Sequence, residues 1–271
     1  MSYTGGAKVN SNGNLFEVKT VQASAFRTLI EALKEILTDA NLEFDSQGIK
    51  IIAVDETHTN LVHLRLNADK FEHFYCPQKY VLGVNMTYLF KLVKTLENND
   101  NLTLYLPAKN PNKLGIMMQN AEKQTTKNYF LKLFDTNIED IQIPTLSFTS
   151  IIHMPSSDFQ KICRDMNSLG ERVEITSSGG DLIFKCLGEF AEQETIIRES
   201  NGSMRVQKPQ GSFEIVQGVF HLKNLFLFTK CTNLCPSIEM YLKNDAPLIL
   251  KYTVANLGEV KLVLAPLKNK A

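Results

Sequence analysis

The stretch "VNMTYLFKLVKTL", residues 84–96, reads as a short helix with a packed side and a basic side. Its apolar residues fall at helical spacing, and Lys91 and Lys94, three apart, share the opposite face. The chain returns to the same design at "FHLKNLFLFTKCT", residues 220–232, where "LFLFTK" lies over "LFKLVK". There Lys223 and Lys230 stand seven apart, again on one face. Two more helices form a second matching pair. "SAFRTLIEALKEILTDA" (24–40) turns Phe26, Leu29, Ile30, Leu33, Ile36 and Leu37 inward, with Ser24 as N-cap and Arg27 and Lys34 outward. "SSDFQKICRDMNSLG" (156–170) turns Phe159, Ile162, Cys163, Met166 and Leu169 inward, with Lys161 and Arg164 outward.

The pairs keep register. Phe26 and Phe159 lie 133 residues apart, and Lys94 and Lys230 lie 136 apart, close to half of the 271-residue chain. Short alternating strands fill the intervals in the same order in each half, so the expectation is two domains of like fold. Residues 1–15 are small and polar and read as a disordered extension; 16–134 form the first domain, 135–148 an acidic, proline-bearing connector, and 149–271 the second domain.

Composition narrows the function. Basic and acidic residues balance at 29 each, so an anionic partner must be met by local placement of charge. No apolar run reaches membrane-spanning length and no signal peptide is evident. The five cysteines are scattered; Cys231 and Cys235 lack the second pair or nearby histidines of a zinc site, and reduced thiols in an intracellular protein are expected. His58 in "DETH" has no nucleophile or metal partner beside it, and the carboxylates are dispersed, which disfavours a nuclease or other enzyme. No cofactor or metal is expected. Basic residues outward on all four helices point to one shared anionic partner, through contacts that carry no sequence information.

The passages "LIEALKEILTDAN", "LGVN", "MPSSDFQKICRDMNSLGERVEI", "FLFTKCTN" and "LAP" together resemble the proliferating cell nuclear antigen family, the sliding clamps of eukaryotes and archaea, over residues 16–267. The resemblance implies an α+β chain of two topologically similar clamp domains, with antiparallel sheets outside and two helices each inside, closed head to tail as a homotrimeric ring. It implies a processivity factor that encircles double-stranded DNA and serves DNA polymerase, the clamp loader and other replication and repair proteins, in a nucleus or a viral replication compartment. The DNA-facing wall would then comprise Arg27, Lys34, Lys91, Lys94, Lys161, Arg164, Lys223 and Lys230. A groove for a short partner peptide would be built from Val54, His58, Leu61, Ile141, Ile143, Pro144, Pro247, Val263, Ala265 and Pro266. Subunits would join by strand addition, with Leu114, Ile116 and Met118 of one chain against Thr195 and Ile197 of the next. The rival reading within the fold is a subunit of a checkpoint-type heterotrimeric clamp. The chain departs from the family in being neutral rather than acidic, in reading Ser177-Ser178-Gly179-Gly180 where a modifiable lysine is common, and in carrying Leu262 and Val263 where two aromatics are common. These departures suggest a divergent member, viral or protist.

Overall fold

The computed structural model describes residues 8–55, 57–135, 141, 147–200, 203–208 and 214–267. Numbered along the chain, the first half comprises β1 (Asn14–Thr20), α1 (Ala23–Leu33), β2 (Asp39–Asp45), β3 (Gly48–Val54), β4 (Asn60–Asn67), β5 (His73–Tyr75), β6 (Tyr80–Asn85), α2 (Met86–Val93), β7 (Asp100–Pro107), β8 (Lys113–Asn120) and β9 (Thr125–Lys132). The second comprises β10 (Ser150–Pro155), α3 (Ser156–Asn167), β11 (Arg172–Ser178), β12 (Asp181–Leu187), β13 (Glu192–Arg198), β14 (Arg205–Gln207), β15 (Val216–His221), α4 (Leu222–Phe228), β16 (Ser237–Leu242), β17 (Leu248–Val254) and β18 (Gly258–Leu264). Element for element the two series coincide. Helix α3 starts at Ser156 against Ala23 for α1, and α4 at Leu222 against Met86 for α2, which reproduces the 133- and 136-residue offsets read from the side chains.

The described residues fall into two compact units. One draws on Met1–Ala53, Leu64–Asp140 and Val254–Glu259, the other on Val54–His63, Ile141–Thr253 and Val260–Ala271. In the first, β5-β1-β7-β8-β9 form an antiparallel sheet and β2 lies between β3 and β6. In the second, β13-β12-β11-β15 form one antiparallel run and β14-β10-β16-β17 another.

Strand alternation sends one face of each sheet under a helix pair. Phe16 and Phe44 stack at 4.3 Å in the first core, with Tyr80 5.7 Å from Phe16; Phe159 and Phe184 meet at 6.4 Å in the second. These phenylalanines are completely or almost completely buried, and truncation of such a ring to alanine costs about 3–5 kcal/mol. The helices are short, eight residues for α2 and seven for α4, below the length that is stable alone in water. They persist because Met86, Leu89 and Val93, and Leu222, Leu225 and Phe228, are buried against the sheets. The turn expected at Ser-Gln-Gly forms between β2 and β3. The Asp45 carboxylate accepts the Gln47 and Gly48 amides at 2.7 and 3.2 Å, and Gly48 has φ +144 with the Leu66 carbonyl oxygen 1.9 Å from where a Cβ would sit. Only glycine fits there.

Three expectations are corrected. Helix α1 stops at Leu33, although Ile36 and Leu37 beyond it are still buried. Its N-cap position is Gln22, not Ser24, and no side chain caps it. Residues 8–15, expected to be without structure, are ordered by an asparagine cage around Glu17. Asn10 and Asn14 donate to one carboxylate oxygen at 2.9 and 2.7 Å, and Asn12 donates at 3.0 Å. Burial alone would raise the Glu17 pKa, but the Asn12, Asn10 and Asn14 amides and the nearby His73 outweigh it and hold the carboxyl below its ordinary value.

A depressed carboxylate stabilises the fold above its unfolded pKa and loses that contribution as pH falls through the folded one. Glu17→Gln is therefore expected to lower the melting temperature at about pH 7 and to converge with wild type by about pH 3. Parallel melting curves across that range would refute the cage's role in acid stability.

Candidate nucleic-acid interface, peptide groove and open strand edges

The outward residues of the helices fall into two classes. Lys91 and Lys94 are exposed at the C-terminal end of α2. Asn85 fixes the start of that helix: its side-chain oxygen accepts the Tyr88 amide at 3.0 Å while its amide donates to Asp39 at 2.8 Å. Lys161 and Arg164 are exposed on α3, and Lys223 on α4. Lys230 is exposed on the 3-10 turn, Thr229–Leu234, that continues α4. Lys91 and Lys230 each lie over an aromatic ring of their own segment, Tyr88 at 5.4 Å and Phe226 at 5.1 Å. No ion pair among the described residues engages any of these six cations.

Arg27 and Lys34 behave differently. The Arg27 guanidinium is half-buried and donates to the Leu96 carbonyl at 2.5 Å. Lys34 pairs with Glu35 and sits 4.9 Å over the Phe90 ring. Both cations are half-buried and join α1 to α2 and its following turn rather than standing fully outward in solvent. Sequence spacing marked them as outside the apolar stripe, but a neighbouring helix covers that flank.

The residues expected to form the peptide groove gather in the second unit. Val54, Leu61, Pro247, Val263 and Pro266 are half-buried, as is Ile141, while His58 and Ala265 are exposed. Ile143 and Pro144 lie outside the described residues. The "DETH" loop is a carboxylate-pinned turn. Asp55 accepts from the Thr57 hydroxyl at 2.5 Å, the Thr59 and Asn60 amides at 2.9 and 2.8 Å, and the Asn60 side chain at 3.0 Å. Burial pushes the Asp55 pKa up, but these hydrogen bonds prevail and hold it below its usual value. His58 is left-handed at φ +53 with its amide on the Asp55 carbonyl. Downstream, the Ala265 amide reaches the Thr59 carbonyl at 3.4 Å and the Leu267 amide reaches Val219 at 2.8 Å. The C-terminal segment is thereby tied to the loop and to β15.

The expected subunit edge on β8 is overturned. β8 pairs with β7 on one side and β9 on the other, and Leu114, Ile116 and Met118 are fully or almost fully buried. A strand with two partners has no free ladder groups to offer a second copy. The outermost strands of that sheet are β5 and β9, and on β9 Tyr129 is half-buried while Phe130 and Lys132 are exposed. β13, carrying Thr195 and Ile197, is outermost in its own sheet, as expected.

Models of two domains of the proliferating cell nuclear antigen match adjoining stretches of the chain, the N-terminal domain over residues 15–141 and the C-terminal domain over residues 142–267. The chain belongs to the proliferating cell nuclear antigen family. It is also 35% identical over 257 residues to the "Probable DNA polymerase sliding clamp 1" of Paramecium bursaria Chlorella virus 1, covering 93% of this chain and 97% of that one. The paired α+β halves, with antiparallel sheets and four helices, are the clamp fold of the family.

Within that fold the chain's departures have local explanations. Leu262, at the first position where family members commonly carry an aromatic, is fully buried, and Val263 beside it is half-buried. The Ser177–Gly180 turn closes the β11–β12 hairpin with Gly179 at φ +58, and Ser177 is buried with its hydroxyl 2.9 Å from that of Ser150. Tyr88 on α2 and Tyr129, Phe130 and Lys132 on β9 were not singled out by the sequence reading, although all four are at least partly exposed. The signal was present in "TTKNYFLK", whose exposed lysines and threonines mark a protected sheet edge.

Proposed function

We propose that this chain is a DNA polymerase sliding clamp: a homotrimeric ring that encircles duplex DNA without sequence preference and tethers polymerase and other replication proteins to it. The observation that carries this reading is the internal repeat, which leaves two strands without the neighbour their counterparts have. β13 corresponds to β4, and β9 to β18. β4 and β18 run side by side, with the Asn67 amide on Leu257 and the Ala265 amide on Thr59 at their two ends. Among the described residues β9 and β13 lack that partner. A second copy supplies it, and a head-to-tail contact of this kind generates a ring when its rotation closes, which is the assembly proposed here.

Six exposed cations, Lys91, Lys94, Lys161, Arg164, Lys223 and Lys230, then serve the channel on every chain, with Arg27 and Lys34 holding the helices that carry them. Duplex DNA presents about one negative charge per 1.7 Å, and solvated lysines meet it through exchangeable contacts that permit sliding. Closure of the ring, rather than affinity, retains the clamp. The proposed division is a first clamp domain at 16–134, a connector at 135–148 and a second domain at 149–271, acting in a nucleus or a viral replication compartment. The deciding experiment loads the protein on nicked circular DNA and then linearises it. Retention on the circle with rapid loss from the linear form is expected; equal retention on both would sink the ring reading.

The loop 55–60, the connector and the C-terminal segment form the proposed docking groove for a short peptide with an apolar anchor. Ile143→Asp is expected to weaken a polymerase-tail peptide by about 2 kcal/mol or more while the trimer persists, as for a buried anchor contact. Calorimetry giving wild-type affinity would remove the connector from the groove.

A further inference from the structure

Beside α2 lies a groove of about 610 Å³, lined mainly by apolar surface that includes Tyr88, Leu92, Leu131, Leu133 and Phe134, with Lys91 and Lys132 also at its walls. Tyr88 is 58% exposed and Phe134 39%, a large area of aromatic surface left in water. On the second unit, the turn between β12 and β13 carries the most exposed large apolar side chain among the described residues, Phe190 at 77%, next to Leu187 at 62%. The turn and the start of β13 are acidic: Glu189, Glu192 and Glu194 are all exposed.

We infer that Phe190 of one copy seats in the α2 groove of the next and anchors the subunit contact. The inference rests on the strand-addition reading above, and three observations name the occupant. The strand pairs whose register is described are antiparallel, the end bonds Asn67 to Leu257 and Ala265 to Thr59 give β4 and β18 the same antiparallel polarity, and the repeat gives β13 and β9 the relation of β4 to β18. Antiparallel addition sets the start of β13 beside the end of β9. Phe190, two residues before β13, then arrives where Leu131, Leu133 and Phe134 open the groove. Charge agrees with this polarity. Lys132 at the end of β9 meets Glu192 at the start of β13, and Lys91 faces the acidic turn, whereas parallel addition would place Lys132 beside Arg198.

An aromatic anchor in a desolvated slot, ringed by weaker charge pairs, is the usual distribution of energy in a contact of this size. Edge pairing thus gives the ring its geometry, and the Phe190 seat supplies much of its resistance to dilution. Neither residue is required by the fold of its own unit, since both Phe190 and Tyr88 are more than half exposed.

The test follows the trimer of the full chain by mass photometry on dilution. Phe190→Ala is expected to raise the dissociation constant of the contact by about thirtyfold, with Phe190→Leu close to wild type. Tyr88→Ala should weaken it as well, and the Tyr88→Ala/Phe190→Ala pair should lose less than the two losses combined. Lys132→Glu should weaken the ring, and Lys132→Glu/Glu192→Lys should restore it. If Phe190→Ala dissociates as wild type while the charge swap behaves as stated, the anchor is wrong and strand addition stands. If Lys132→Glu has no effect and the swap restores nothing, the strand-addition reading fails and the anchor falls with it.

Discussion

Lys91→Glu/Lys94→Glu is expected to abolish processive synthesis on a long primed template. Both lysines are exposed at the C-terminal end of α2, neither has an ion-pair partner among the described residues, and both stand on the face away from Met86, Leu89 and Val93. In the proposed ring each appears once per subunit, so reversal places a belt of carboxylates where phosphates must pass. Neutralised phosphate contacts set the salt dependence of binding, and salt also screens the new repulsion, so the defect relative to wild type should be largest at low salt and narrow as salt rises. The fold should be spared, because exposed substitutions usually move stability by within about 0.5 kcal/mol. Because Lys91 also faces the acidic turn in the proposed contact, the double variant is expected to loosen the trimer on dilution as well. Lys94→Glu alone, away from that groove, is the control for an assembly effect. Primer extension beside thermal melts and mass photometry reads all three quantities. Wild-type product lengths across the salt series would show that these lysines only solvate a helix.

Ile116→Pro is expected to unfold the first unit. The residue is completely buried in the middle of β8, with Leu104 of β7 opposite on one side and Tyr129 of β9 on the other. Proline there removes a ladder donor, opens a hole in the core and separates two strand pairs, at a cost of roughly 4 kcal/mol or more. Had β8 been an edge, the same substitution would give folded monomers. Circular dichroism discriminates between the two outcomes. A cooperative melt near that of wild type, with monomer by mass photometry, would return β8 to the subunit contact.

The contrast between these substitutions reflects how each position was legible. Lys91 and Lys94 could be assigned a face because a helix is periodic: an apolar stripe at Met86, Leu89 and Val93 fixes where residues three and four apart must point. Helix spacing also exposed the internal repeat, which survives in the structure to the residue at the starts of α1 and α3. Whether a face meets solvent is another matter. Arg27 obeys the same spacing rule as Lys91, yet its guanidinium is spent on the Leu96 carbonyl because α2 and the turn after it run beside α1. Strand identity was similarly readable, and strand neighbours were not. "KLGIMMQ" and "TTKNYFLK" both alternate, and nothing local says which of them lies outermost.

By itself, then, the sequence determined the family, the twofold repeat, the four amphipathic helices and the outward placement of Lys91, Lys94, Lys161, Arg164, Lys223 and Lys230. Those properties depend on residues within a few positions of one another, or on a period that repeats along the chain. Only the tertiary structure decided that β9 rather than β8 is the open edge, that Arg27 and Lys34 are tied down, that three asparagines hold Glu17, and that Phe190 and Tyr88 are left in water. Each of those depends on a partner brought close by folding from far along the chain, or on the lack of one. Local periodicity carries no information about such partners, because hydrogen-bond ladders and core contacts are settled by which strands and helices the whole chain sets side by side.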